Sequence, residues 1–314
     1  MSDAPSARYD VLGLGNAIVD VLARVEESFL TEQDIAKGGM TLIDEARAEE
    51  LYAAMPPSVE VSGGSGANTI AGVASFGGAT AFLGKVADDQ LGGVFSHDIR
   101  AGGTAFDTPP LSGGPATARC LIVVTPDGER SMSTFLGAST LFAETDVDAE
   151  KVAAANIVYL EGYLFDRESA KAAFVRAAEI ARANGRRAAL TLSDAFCVDR
   201  HRDSFRHLAK QHVDILFANE AELLSLYETE DFAGALEQVR GDDLTAFVTR
   251  SEKGSVILAG SETIEVPAVA PDPGLVDSTG AGDQYAAGAL FGLSRGMELA
   301  ECGRLGSIAA AEVI

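Results

Sequence analysis

The sequence predicts an α/β protein in which a mostly parallel sheet is covered by helices on both faces and a small second sheet stands beside it. Three observations carry this. Short apolar runs alternate with longer amphipathic ones along the chain, the order of strands joined by crossover helices. The strand-like runs IVYLEGYL, RAALTLSD, VDILFANE and LTAFVTR each end in polar or glycine residues, and helical stretches separate them. One segment, Gly102 to Thr134, breaks that rhythm and holds only β-prone runs.

In chain order, Asp10 to Leu14 and Ala17 to Ala23 read as strands, Glu45 to Ala54 and Ala67 to Phe76 as helices, and Thr80 to Leu83 as a strand. In the irregular segment, TARCLIVVT and RSMSTF flank TPDGER, whose Asp127-Gly128 suits a tight hairpin turn. With Val19 to Val25 and part of Gly38 to Ile43 these runs form a small separate sheet, and a small sheet beside a binding face can act as a lid. The lid is expected from segments of about 17–43 and 102–135. It is an outgrowth of a single domain over residues 1–314, because no repeat, low-complexity tract or long linker divides the chain.

Composition narrows the function. The 314 residues are 47% hydrophobic and carry 24 basic against 47 acidic residues, a net charge of −23. That field repels phosphate backbones and anionic lipid, which argues against nucleic acid and membrane surfaces as partners. A small anionic ligand stays open, because local backbone dipoles bind phosphate on an acidic protein. Cys120, Cys197 and Cys302 lie far apart with no CxxC pair, so neither a disulfide framework nor a zinc knuckle is indicated. MSDAPSARYD lacks the apolar core of a signal peptide, and no run of ~18 apolar residues occurs, so the expectation is a soluble, cytoplasmic chain.

Several motifs fail on inspection. GLGNAI follows a strand, but the third glycine of a dinucleotide fingerprint is missing and the next stretch is strand-like. There is no P-loop and no HExxH, and His97, His201, His207 and His212 lack ligand spacing. DSTGAGDQY, Asp277 to Tyr285, survives. Gly280, Ala281 and Gly282 have little or no side chain, so their amides can approach an anion closely, and a helix starting there adds partial positive charge. Asp283 would then stand beside a bound phosphate and could take the proton of an incoming hydroxyl. The alternative is a glycine turn in which Asp283 only caps the helix.

DSTGAGDQYAAGAL resembles the D-x-x-G-A-G-D-x-F signature of the ribokinase-like (PfkB) sugar and nucleoside kinases. VSGGSGANTIAGVASFGG, Val61 to Gly78, resembles the family's second signature, G-G-x-x-x-N, about 200 residues upstream. LGNAIVDVLA, VDILFANEAE, TLSDAF and the long SFLTEQDIAKGGMTLID resemble the adenosine-kinase branch in particular. The resemblance implies a three-layer α/β/α core with a β-sheet lid. It also implies ATP-dependent, Mg²⁺-requiring phosphorylation of a ribosyl primary hydroxyl, with adenosine as leading acceptor, in the manner of purine salvage. Another nucleoside, ribose or fructose is the alternative acceptor, and a silent nucleotide sensor the rival of another class.

Residue by residue, the resemblance gives Asp283 the role of base and the amides of Gly280, Ala281 and Gly282 the anion hole, with Arg130 reaching the phosphate from the lid. Asp20, Gly64, Ser65 and Asn68 would hold the ribose. Asn219 would help position Mg²⁺ and its waters beside ATP, Glu222 would be the metal-side carboxylate, and Thr249 and Gly254 would contact ATP. Two departures stand out: Ser251 replaces the first glycine of T-x-G-x-x-G, and Met40 falls where eukaryotic adenosine kinases read the purine with glutamine. Lys and Arg are sparse around Asp20 and Gly63 to Asn68, so the acceptor is expected to be uncharged. The chain is expected to act as a monomer or as a homodimer paired through lid edges.

Overall fold

The computed structural model describes residues 7–271 and 279–314. In chain order come β1 (Tyr9–Leu14), β2 (Ile18–Arg24), α1 (Glu27–Glu32), β3 (Met40–Leu42), α2 (Glu45–Ala54), β4 (Val59–Gly63), α3 (Ser65–Ser75), β5 (Thr80–Leu83), α4 (Gln90–Ala101) and β6 (Thr104–Ala105). Then follow β7 (Ala118–Val124), β8 (Arg130–Phe135), α5 (Ala149–Ala153), β9 (Ala155–Glu161), α6 (Glu168–Ala183), β10 (Arg187–Thr191), α7 (Ala195–Gln211), β11 (Ile215–Asn219) and α8 (Glu220–Tyr227). The chain closes with α9 (Phe232–Gly241), β12 (Thr245–Thr249), β13 (Ser255–Ala259), β14 (Glu262–Val266), α10 (Ala281–Ser294) and α11 (Leu299–Glu312).

Nine of these strands make one sheet in the order β14-β13-β12-β11-β10-β9-β1-β5-β6, parallel from β12 through β6 and antiparallel at the β12-β13-β14 end. Side chains alternate across it, because successive residues of a strand point to opposite faces. Leu12, Leu14, Val158, Leu160 and Val248 enter one apolar core with Phe165, Phe174 and Phe205 of the flanking segments. Val11, Ile157, Tyr159 and Phe247 enter the other, against residues of α3, α4, α10 and α11. The result is three layers, helix, sheet and helix, as the strand–helix alternation predicts.

The chain leaves β1 toward β5 on one side and toward β9 on the other. Such a switch in winding direction opens a crevice at the carboxyl ends of the strands. Glu161, Thr191, Asn219 and Thr249 all end parallel strands at that edge, with Thr191 in register with Glu161 and Asn219 with Thr249.

A second sheet, ordered β3-β8-β7-β2-β4, carries Asp20 at the middle of β2. The hairpin between β7 and β8 turns through Asp127-Gly128 as expected, with Gly128 at φ +88° and Asp127 accepting from Thr125 and Glu129. Two boundaries differ from the sequence reading. β4, outside both expected segments, forms an edge of this sheet, because its alternating polar and apolar residues pair antiparallel with β2. Thr104–Ala105, inside the expected segment, pairs with β5 of the large sheet instead. Among the described residues no helix is long and apolar enough to cross a membrane.

Helices α10 and α11 cross where glycine removes side chains on both. A Cβ on Gly288 would stand 2.6 Å from the Leu305 carbonyl oxygen, and one on Gly306 2.7 Å from that of Tyr285. Gly288→Val must therefore push the helices apart, and the expected loss is about 1–3 kcal/mol in urea unfolding. An unchanged unfolding midpoint would show that the crossing does not depend on this close approach.

Candidate active site

Helix α10 begins at Gly280, whose φ of +81° is a backbone conformation glycine adopts without strain. Its first internal bond runs from the Gln284 N–H to the Gly280 carbonyl at 2.9 Å, so the amides of Ala281, Gly282 and Asp283 have no partner within the helix. A Cβ on Gly282 would meet nothing within 4 Å among the described residues, so the helix start has room at that position. The preceding Asp277 and Ser278 lie outside the described residues.

Across the crevice, α3 starts at Ser65 behind Gly64, which caps it at φ +97° and passes so close to the chain that a Cβ would stand 2.6 Å from the Asn16 carbonyl. The Ser65 hydroxyl donates to Asp283 Oδ1 at 2.6 Å, and Asn68, one turn on, is near enough to lower the pKa of the same carboxyl group. The two glycine-rich signatures, 218 residues apart at this bond, thus meet at one carboxylate. Asp20 is close enough for its charge to interact with both Asp283 and Arg130. Gly63 makes room for it: a Cβ there would stand 2.3 Å from Asp20 Oδ2.

Ser65, Asn219, Glu222, Thr249, Gly282 and Asp283 line one cavity of about 90 Å³. Asn219 and Glu222 hold each other in a capping box at the start of α8. The Asn219 side chain accepts from the Glu222 N–H at 2.8 Å, while the carboxylate accepts from the Asn219 N–H at 3.0 Å and from Nδ2 at 2.6 Å. Gly254 stands apart from this cavity. Its φ of +81° and a Cβ position 2.1 Å from the Val266 carbonyl make it the pivot of the turn between β12 and β13. Ser251, in place of the expected glycine, holds φ +52°. Sequence reasoning missed Asn16, Gly63, Glu161, Thr191 and Ser193 as site residues. Glu161 had a legible signal, since it is the one charge in the apolar run IVYLEGYL.

Residues 34–314 match the profile described as pfkB family carbohydrate kinase. The chain belongs to this family. Adenosine kinase 2 of Arabidopsis thaliana is 26% identical over 99% of this chain and 96% of its own length. Among solved structures, the adenosine kinase from Sinorhizobium meliloti is 55% identical with a TM-score of 0.90, covering 98% of this chain and 94% of that one. A probable sugar kinase from Rhizobium etli is 50% identical with a TM-score of 0.90, covering 98% and 93%. The protein is therefore a phosphotransferase of the nucleoside and sugar kinase class with the ribokinase-like fold, and ATP is the donor its family uses.

Burial dominates the electrostatics of this kinase's crevice. It pushes Asp283 up to about 6, against the hydrogen bonds of Ser65 and Asn68, which lower it. It pushes Asp20 to about 6 as well, with Arg130 pulling it down and Asp283 raising it further. Glu222 rises to about 7 by burial, with Asn219 opposing and Asp194 adding to the shift. Among the described residues that line the cavity, the polar side chains are carboxyl, hydroxyl and amide groups, with no Lys, Arg or His, beside Phe217 and Phe247. Among the described residues no group of three or more His, Cys, Asp or Glu could hold a metal on its own. This donor set fits Mg²⁺ held partly by water and phosphate oxygens rather than by a protein cage.

The raised carboxyl groups set a pH dependence of stability. Folded Glu222 holds its proton up to about pH 7, whereas the unfolded group releases it near 4.5. The folded chain binds more protons in that window, so its contribution to stability falls as pH rises through it. Glu222→Gln keeps the capping box and removes the titration, so the difference in unfolding free energy between pH 5 and pH 8 should shrink. Equal differences in variant and wild type would mean that folded Glu222 is already ionised at pH 5.

Proposed function

We propose that this kinase transfers the terminal phosphoryl group of ATP to the 5′ hydroxyl of a nucleoside, with adenosine the leading acceptor. The observation that carries the nucleoside is the face of the small sheet on which Asp20 stands. Residues paired across strands share a face. Asp20 pairs with Val61 and Cys120, and Leu22 with Val59 and Ile122; Ile122 pairs in turn with Met132, and Met132 with Met40. Asp20 is the acid of this otherwise largely apolar surface, and Met40 and Leu42 are half exposed at its edge. A carboxylate that accepts two hydrogen bonds from a vicinal diol, bordered by apolar side chains, suits a ribose carrying a base. Phe196, 78% exposed and following Asp194 at the start of α7, offers a second apolar surface near Ser193 of the cavity.

Asp283, beside the amides of α10 that have no partner within the helix, takes the acceptor proton, while those amides hold the charge growing on the transferring phosphoryl group. Ser65 and Asn68 orient the carboxylate. Glu222 and Asn219 would hold Mg²⁺ and its waters, and the ion supplies neutralisation of charge on the ATP oxygens. Thr249 supports the nucleotide from the end of β12, Gly254 shapes the turn behind it, and Arg130 acts from β8. The small sheet closes as a lid and excludes water that would otherwise hydrolyse ATP. A sugar acceptor is the second reading, favoured by the likeness to the Rhizobium etli probable sugar kinase.

A panel of purine nucleosides, ribose, fructose and fructose phosphates with ATP and Mg²⁺ tests the acceptor. Adenosine should be turned over fastest. Comparable turnover of fructose 6-phosphate would overturn an uncharged acceptor, and guanosine or inosine turnover would follow if Met40 leaves the purine edge unread.

Asp283→Asn separates chemistry from binding. The amide keeps the shape but cannot take the proton, so kcat should fall by roughly 10²–10⁴ while adenosine and ATP still bind calorimetrically. Asp20→Ala should act chiefly on KM for the acceptor, on the order of 1.5–3 kcal/mol for hydrogen bonds to a charged group. Near-normal kcat in Asp283→Asn would reduce Asp283 to a helix cap.

A further inference from the structure

Glu161 ends β9 at 1% exposure, and none of the roles above uses it. Its Oε2 accepts the backbone N–H groups of Asn16 at 3.0 Å and Gly66 at 2.9 Å, and its Oε1 accepts Asn16 Nδ2 at 2.7 Å. Missing side chains make the space it fills. A Cβ on Gly15 would stand 2.2 Å from Oε2, and one on Gly66 2.6 Å from the same atom.

The two partners belong to different arms of the site. Asn16 leads into β2, which presents Asp20. Gly66 lies between Ser65 and Asn68 in the turn of α3 that holds Asp283. We propose that Glu161 is a positioning residue for phosphoryl transfer, a single buried carboxylate that sets the spacing between the strand presenting Asp20 and the helix start holding Asp283. A carboxylate suits the task because it accepts several hydrogen bonds at once and leaves its donors no alternative partner in a dry interior. Loss of the group leaves three donors behind, so both arms are released together. This inference rests on the reading of Asp283 as the base and Asp20 as the grip on the acceptor.

The test compares wild type, Glu161→Ala, Glu161→Gln, Gly66→Ala and the double variant Glu161→Ala/Gly66→Ala. Each is measured for kcat, for KM of the acceptor and of ATP, and for stability in urea. The acceptor is whichever compound of the panel is turned over fastest, so a sugar there overturns only the nucleoside reading and leaves the test of Glu161 intact. Glu161→Ala should lower kcat by roughly 10²-fold, the scale of a misplacement of about 1 Å, and raise KM for the acceptor with KM for ATP unchanged. In Glu161→Gln the side-chain oxygen keeps the two backbone donors and its NH₂ faces a reversed Asn16 amide, so kcat should stay close to wild type. Gly66→Ala should reproduce the loss, because its Cβ displaces the carboxylate, yet add little to Glu161→Ala, where nothing remains to displace.

Wild-type kcat and KM in Glu161→Ala would overturn the proposal, and so would equal losses in the Gln and Ala variants or additive losses in the double variant. Should Glu161→Ala fail to fold, Gly66→Ala decides: a folded variant with wild-type kcat overturns the proposal. Failure of the base itself shows separately, as near-normal kcat in Asp283→Asn, and it removes the inference with it.

Discussion

Removal of carboxyl groups from water at the open edge of one sheet is the constraint on which this site depends. Asp20, Glu161, Glu222 and Asp283 are all pushed above their ordinary range by burial, and Asp283 raises both Asp20 and Glu161 further. A buried charge is tolerated only where donors converge on it. Glu161 has three such donors, Glu222 has two from Asn219, and Asp283 has Ser65, with Asn68 also lowering its pKa. These hydrogen bonds fix the carboxylates in place, as the role of base proposed for Asp283 requires.

Glycine makes the arrangement possible by subtraction. Gly15, Gly63 and Gly66 each leave the volume that a carboxylate occupies, and Gly64 lets the start of α3 pass against the Asn16 carbonyl. Only Gly64 of these four requires a positive φ; the others are needed for space. The same subtraction at Gly288 and Gly306 brings α11 against α10, so the helix whose first turn carries Asp283 is braced along its length by close backbone contact.

The sheet and its site were legible in the sequence to different depths. The helix at Glu45–Ala54 and the strand at Thr80–Leu83 were bounded correctly, because Asp44 caps the first and an unbroken apolar run marks the second. The β7-β8 hairpin was legible through its Asp-Gly turn. β4 was not, because a run of alternating polar and apolar residues next to a glycine cluster says nothing about which edge it will join. The pairing of Asn16 with Glu161 escaped for a related reason: nothing in LGNAIVDVLA or in IVYLEGYL points to the other, and their bond joins residues 145 apart in the chain.

What the sequence determined by itself is the layering and the local chemistry. Apolar periodicity sets which residues are strands and helices, and DSTGAGDQY and GGSGAN set where small residues expose backbone beside polar side chains. What only the tertiary structure decided is which of these pieces face one another: Ser65 against Asp283, Glu161 between Asn16 and Gly66, and Asp20 against Gly63. Local patterns carry the propensities of single elements. The contacts between those elements, and the carboxyl pKa values that follow from them, come from the packing of segments whose separation along the chain has no periodicity to read.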